Sequence, residues 1–228
     1  MNELKGTTHR RGFLGTVAAG AAAVGLSALA SPLGLTAAMK NPPFRPGDSG
    51  FDNWLDRIKG SHKQLFDSPD CHGGLTLAWT RVFLMTNASV GVPEGDACAV
   101  LVLRHDSIPL ALPDSLWAKY SFGEMFKITD GATKAPAVRN PFFNAKPGEL
   151  MLPDMGIDGL LKSGVLIGVC GMAIAVYSGM AAKKMNLDAE AVKKEWTDAV
   201  LPGIQVVPSG VLAVNRAQEH GCTYCFAG

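Results

Sequence analysis

The chain reads as an α/β domain, a parallel sheet with helices on both faces. Three apolar runs predict it: 97–103, 165–170 and 204–207. The first is bounded by Asp96 and Arg104 and carries no polar residue inside. A run apolar at every position suits a strand covered on both faces, as in a parallel sheet. The second observation is that helical stretches separate the runs, and strands alternating with helices mean parallel crossovers.

The elements follow in order. Residues 51–58 have the pattern of a short amphipathic helix, and 62–66 form a candidate first strand weakened by Lys63 and Gln64. Residues 67–74 are turn chemistry, and 75–88 are helical through Leu75, Leu77, Ala78, Val82, Phe83 and Met85. The strand at 97–103 follows. Residues 114–120 read as a capped helix that packs Trp117. After the strand at 165–170 come helices over 172–185 and 188–200, the latter capped by Asp188 with an acidic first turn. The strand at 204–207 leads to a helix capped by Ser209 and ending near Glu219, then to a strand-like segment at 223–226. Residues 120–153, rich in Gly, Pro and Asn, do not fit this alternation. So long an irregular insertion is a lid or an interface, or else a structural excursion of the fold.

The amino-terminal residues address the protein. Thr7-Thr8-His9-Arg10-Arg11-Gly12-Phe13-Leu14 precedes an uncharged run over 13–29, and Ala28-Leu29-Ala30 makes a small-x-small cleavage site. This is the layout of a twin-arginine signal peptide over residues 1–30, with Arg10 and Arg11 as its pair. The run is about seventeen residues long and diluted by Gly, short of the roughly twenty a spanning helix prefers. Periplasmic delivery of a folded protein is the expectation. Residues 31–50, with Pro32, Pro42, Pro43 and Pro46, read as a linker, and 51–228 as the domain.

Removing Lys5, Arg10, Arg11 and Glu3 with the signal turns 21 basic and 20 acidic residues into 18 and 19. That balance, without a basic stripe, excludes nucleic acid as a partner. No P-loop, dinucleotide fingerprint, nucleophile elbow or H-E-x-x-H is present, which leaves hydrolases and nucleotide-dependent enzymes unsupported.

Five cysteines, Cys71, Cys98, Cys170, Cys222 and Cys225, are too few for a disulfide scaffold. Cys170 is the leading candidate for chemistry. It ends an apolar strand and opens a helix, where unpaired backbone N–H groups and the helix dipole favour a thiolate or a persulfide anion. The competing reading is a small buried hydrophobe. Cys170 is expected to be reachable from the sheet rim, and Cys98 to be buried in its strand. Cys222-Thr223-Tyr224-Cys225, preceded by His220, suits a disulfide, a redox pair or half of a metal site, or else two unlinked thiols. Cys71-His72-Gly73-Gly74 lies on the same rim as Cys170 and offers a second thiol or a ligand. His105-Asp106 follows the second strand and either brings an imidazole to that rim or is simply a polar strand end.

Cys170-Gly-Met-Ala-Ile-Ala, then Leu201-Pro-Gly-Ile-Gln-Val-Val-Pro-Ser-Gly-Val, then Ala217-Gln-Glu-His-Gly-Cys-Thr-Tyr together resemble the DsrE/DsrF family. The likeness spans about 62–226 and is clearest over 165–226. It implies a flavodoxin-like α/β subunit that assembles into a homo-oligomer and passes sulfur as a cysteine persulfide, with Cys170 at the sulfur-accepting position. It departs from that pattern in the export signal, the 120–153 insertion and the additional cysteines. A sulfurtransferase or sulfur carrier is therefore the first expectation, handing sulfur from a small sulfur species to a partner thiol through Cys71, Cys222 or Cys225 and needing no cofactor. The alternative is a non-catalytic periplasmic module binding a metal or small ligand through His72, His220, Cys222 and Cys225, with Cys71 beside them.

Overall fold

A computed structural model describes residues 49–228. The expected twin-arginine pair Arg10 and Arg11, the expected cleavage site and most of the predicted linker lie outside the described residues. The chain runs α1 (Ser49–Leu55), β1 (His62–Ser68), α2 (Leu75–Ser89), β2 (Ala97–Leu103), α3 (Asp114–Tyr120), α4 (Phe122–Met125) and α5 (Ile157–Lys162). It continues through β3 (Leu166–Cys170), α6 (Gly171–Met185), α7 (Ala189–Asp198), β4 (Gln205–Val207), α8 (Gly210–Glu219) and β5 (Thr223–Phe226). One 3-10 turn, His72–Gly74, precedes α2, and another, His105–Ala111, follows β2.

The five strands form one sheet in the order β4-β3-β2-β1-β5, and every pairing is parallel. This is the α/β, flavodoxin-like arrangement that the apolar runs predict, with a strand order that differs from flavodoxin's own 2-1-3-4-5. Two cores result. Leu101, Leu103, Ile167 and Val169 face α2, α3 and α5 to α7, while Leu65, Val100, Val102 and Leu166 face α1 and α8. The alternation along each strand sorts the side chains, since successive residues point to opposite faces. Gly168 lies on the second face, where a Cβ would come within 3.1 Å of the Trp54 ring and 3.0 Å of Val207. The bare backbone there lets α1 seat its tryptophan.

The order also fixes which way each helix goes. From β1 to β4 the chain steps across the sheet in one direction, so right-handed crossovers put α2 through α7 on one face. The return from β4 to β5 reverses the step and puts α8 on the other. Adjacent strands β3 and β4 therefore send their helices to opposite faces. Beyond the carboxyl ends of such a strand pair lies the crevice in which open α/β sheets bind ligands.

The insertion is not a loose loop. Asn140 is fully buried, donating from Nδ2 to the carbonyls of Leu110 and Leu112 at 3.0 Å each, while its Oδ1 accepts the Phe142 N–H at 3.0 Å. Its own N–H donates to Asp114 at 2.8 Å, so Asp114 ties the insertion rather than capping α3, whose N-cap is Pro113. Phe122, Phe126, Ile128 and Phe142 then join the larger core, with Met155 just after the insertion. Among the described residues no helix is long and apolar enough to cross a membrane.

Candidate functional site

Cys170 is the last residue of β3 and the N-cap of α6. Its Sγ accepts the Ala173 N–H at 3.3 Å, so a sulfur takes the capping role usually filled by an oxygen. On the neighbouring strand, Ser209 caps α8 by accepting the Leu212 N–H at 3.1 Å. Two helix amino ends thus diverge from adjacent strands, one on each side of the crevice at β3 and β4.

The third wall is Arg104. The β2–β3 register aligns Leu103 with Val169, and Arg104, the first residue after β2, continues that alignment toward Cys170. Arg104 Nε and Nη2 donate to the two carboxylate oxygens of Asp67 at 2.6 and 2.9 Å, and Tyr224 Oη donates to Asp67 Oδ2 at 2.8 Å. Its guanidinium is held more firmly charged than usual, first by the hydrogen bond to Asp67 and also by that carboxylate's charge, with burial opposing. Arg104 also lies flat on the first turn of α8: a Cβ on Gly210 would stand 2.5 Å from Arg104 Cβ. Nη1 makes no hydrogen bond among the described residues. The arrangement is a sulfur at a helix amino end beside a positioned cation, a setting that suits small anions.

Two expectations about access are corrected. Cys170 is only 6% exposed, because the first turn of α6 and the core close over it. Cys98 is the more open of the two, since it sits near the amino edge of β2 where the helices cover less of the sheet.

At the carboxyl-terminal pair the structure takes the alternative of two unlinked thiols. Cys222 packs in the core under α1 and α8, and Cys225 packs against the core on the other side of the sheet. Residues three apart near a strand point to opposite faces, so Cys222-Thr-Tyr-Cys225 forms neither a disulfide nor a shared metal site. All five cysteines are free. The β1–β5 register begins at Gln64 and Thr223, so Cys222 stands just before it beside Lys63, which itself pairs with Cys98. Burial pushes the Cys222 thiol up to about 11, with Cys98 adding to the rise and Lys63 opposing it.

The proposed metal set does not converge. His72 follows β1 at the carboxyl rim, while His220 and Cys222 precede β5 at the opposite end of the sheet. The ring of His220 is 2.8 Å from the Arg216 carbonyl, at the end of its own helix. Among the described residues no group of three His, Cys, Asp or Glu side chains is placed to hold a metal ion.

Cys71 does reach the carboxyl rim, as expected. It is buried, with a thiol pushed up to about 11 chiefly by burial, and it lines a cavity beneath the insertion. His105 lies on the rim too. Its Nδ1 is 3.3 Å from Asp106, and its ring meets Tyr177 of α6 edge-on at 5.9 Å. Tyr177 donates to Asp106, and burial followed by that carboxylate raises the phenol well above its usual range. Arg104, Asp67 and Tyr224 escape a reading of the sequence because they lie 37 and 157 residues apart along the chain. The available signal was local: Arg104 is the first charge after an unbroken apolar strand. Compared with known proteins, the chain matches no family model, no curated protein and no solved structure.

Proposed function

We propose that this is an exported sulfur-handling protein that carries sulfane sulfur as a persulfide on Cys170, in the manner the DsrE/DsrF resemblance implies. The observation that carries the reading is the seat of Cys170: N-cap of α6, between two diverging helix starts, across from Arg104. In the forward step the Cys170 thiolate attacks the outer sulfur of a polysulfide or thiosulfate. The donor's S–S bond breaks and its electron pair leaves with the shortened anion, which is sulfite when the donor is thiosulfate. A new S–S bond forms on Cys170 with no net oxidation. In the return step an acceptor thiolate takes the outer sulfur and Cys170 leaves as a thiolate. Arg104 offers charge to the anionic donor, and the Ala173 N–H serves the terminal anion. Burial of Cys170 favours small inorganic donors over bulky ones. The protein works as a homo-oligomer in this reading, with the exposed Tyr224 and Phe226 of edge strand β5 available to a second copy.

Purified mature protein exposed to polysulfide or thiosulfate should gain one sulfur mass, reversed by reductant and mapped to the Cys170 peptide. Cys170→Ser should lose it while folding normally. An adduct confined to Cys98 or Cys225 would refute the assignment. For export, lysine at both Arg10 and Arg11 should retain the precursor in the cytoplasm, and unchanged periplasmic yield would remove the twin-arginine reading.

A further inference from the structure

The insertion and the Cys71 loop enclose an open cavity of about 560 Å³, which is not needed for the chemistry at Cys170. Its size falls in the range of small-molecule sites, roughly 300 to 1,000 Å³. One wall is apolar, made by Ile128, Phe142, Leu150 and Met155, and the buried Cys71 lines the same cavity at the carboxyl rim. Gly74 is required there in a left-handed backbone conformation, φ +90°, and a Cβ on it would strike the Phe142 ring at 2.5 Å. The glycine therefore lets Phe142 close the floor.

The polar wall is unevenly matched. Arg139 is spent internally, donating to Glu149 at 2.9 Å and standing 3.6 Å from Asp130. Asp130 Oδ1 accepts the N–H groups of Ala132 and Thr133 at 2.9 Å each, which hold its carboxyl below the usual range. Glu149 is held down first by the Lys146 N–H. Both acids are thus ionised and engaged. Lys127 and Lys134 line the same cavity, and among the described residues neither side chain makes a hydrogen bond or ion pair. Both adopt left-handed backbone, φ 55° and 58°, in the two turns that bring them to the cavity.

We propose that this cavity binds a small organic anion, its charged group taken by Lys127 and Lys134 and its apolar body by Ile128, Phe142, Leu150 and Met155. Cys71 lines the same cavity and serves as the reporter of its occupancy. The inference stands on residues separate from Cys170 and survives or fails independently of the persulfide reading.

The test uses two disulfide reagents on purified protein, with modification of each cysteine read by peptide mass. One is the dianionic aromatic 5,5′-dithiobis(2-nitrobenzoate), and the other the neutral 2,2′-dithiodipyridine. With the anionic reagent, Cys71 modification should saturate with concentration, and 4-nitrobenzoate, an unreactive anion of similar shape, should protect it. Changing Lys127 and Lys134 to Asn, a residue that tolerates left-handed backbone, should slow the anionic reagent at Cys71 about tenfold. The neutral reagent should be unaffected, showing the cavity intact. Equal anionic rates in both proteins would overturn the proposal. Should the double variant fail to fold, the unaltered protein decides: without saturation and without protection by 4-nitrobenzoate, the cavity is no anion site.

Discussion

Arg104 and Asp67 form a bidentate ion pair at 2.6 and 2.9 Å, and it joins the carboxyl ends of two adjacent strands directly beside the crevice. Asp67 is nearly buried in it, whereas Arg104 keeps more than a quarter of its side chain exposed. The pair's use is to aim a cation. A free arginine at a strand end would sample many rotamers, and the fork of Asp67 fixes one.

Asp67→Ala should accordingly cost about 1–3 kcal/mol, less than a fully buried pair because Arg104 retains contact with water. It also leaves Tyr224 without its acceptor. The urea midpoint should fall, and thiosulfate should load sulfur on Cys170 more slowly. Asp67→Asn keeps one acceptor and should fall between. An unchanged midpoint together with unchanged loading would show that the pair neither stabilises nor positions.

Two glycine substitutions separate packing from propensity. Gly179 lies in α6, and an added methyl there would have nothing within 4 Å, so Gly179→Ala should stabilise by roughly 0.5–1 kcal/mol through helix propensity alone. Gly210 lies at the start of α8, where the same methyl would meet Arg104 Cβ at 2.5 Å and Cδ at 2.9 Å. Gly210→Ala should destabilise by about 1–3 kcal/mol despite equal or better propensity, because the strand-anchored Cβ cannot move aside. It should also displace the guanidinium and slow sulfur loading. Thermal midpoints that shift the same way in both variants would rule out this close approach.

Much of the fold was legible because its causes are local. The run 97–103 is a strand at those residues, since only a two-sided burial makes seven consecutive apolar positions useful. Asp188 and Ser209 cap their helices as read, each accepting an N–H three residues on. The site was half legible. Cys170 could be placed from a strand end followed by a helix, but its burial depends on how α6 settles against the core. Cys222 and Cys225 invited pairing by spacing, yet β5 has period two, and a separation of three sends them to opposite faces. The insertion had no period to read. Its anchors are the side-chain amide of Asn140 and aromatic rings docked on a core built by distant segments.

The buried thiols make the protein sensitive to alkali in a stated window. Cys71 and Cys222 are each pushed up to about 11, by burial first in both cases, from an ordinary value of 9.0. Each folded-state pKa is raised, so the folded protein holds these protons more tightly than the unfolded chain. The associated stability is fully present below about pH 9, falls as pH rises, and is spent above about pH 11. Two such thiols contribute roughly 1–3 kcal/mol each, discounted for the water that reaches them. Tyr177, also raised by burial, extends the decline to higher pH. Urea unfolding followed from about pH 8 to about pH 11 should show the midpoint dropping across that span. Replacing Cys71 and Cys222 with Ala removes both titrations, so the double variant starts less stable from lost packing but declines less steeply. A double variant with the same alkaline slope as the unaltered protein would show that these thiols are not held neutral by the fold.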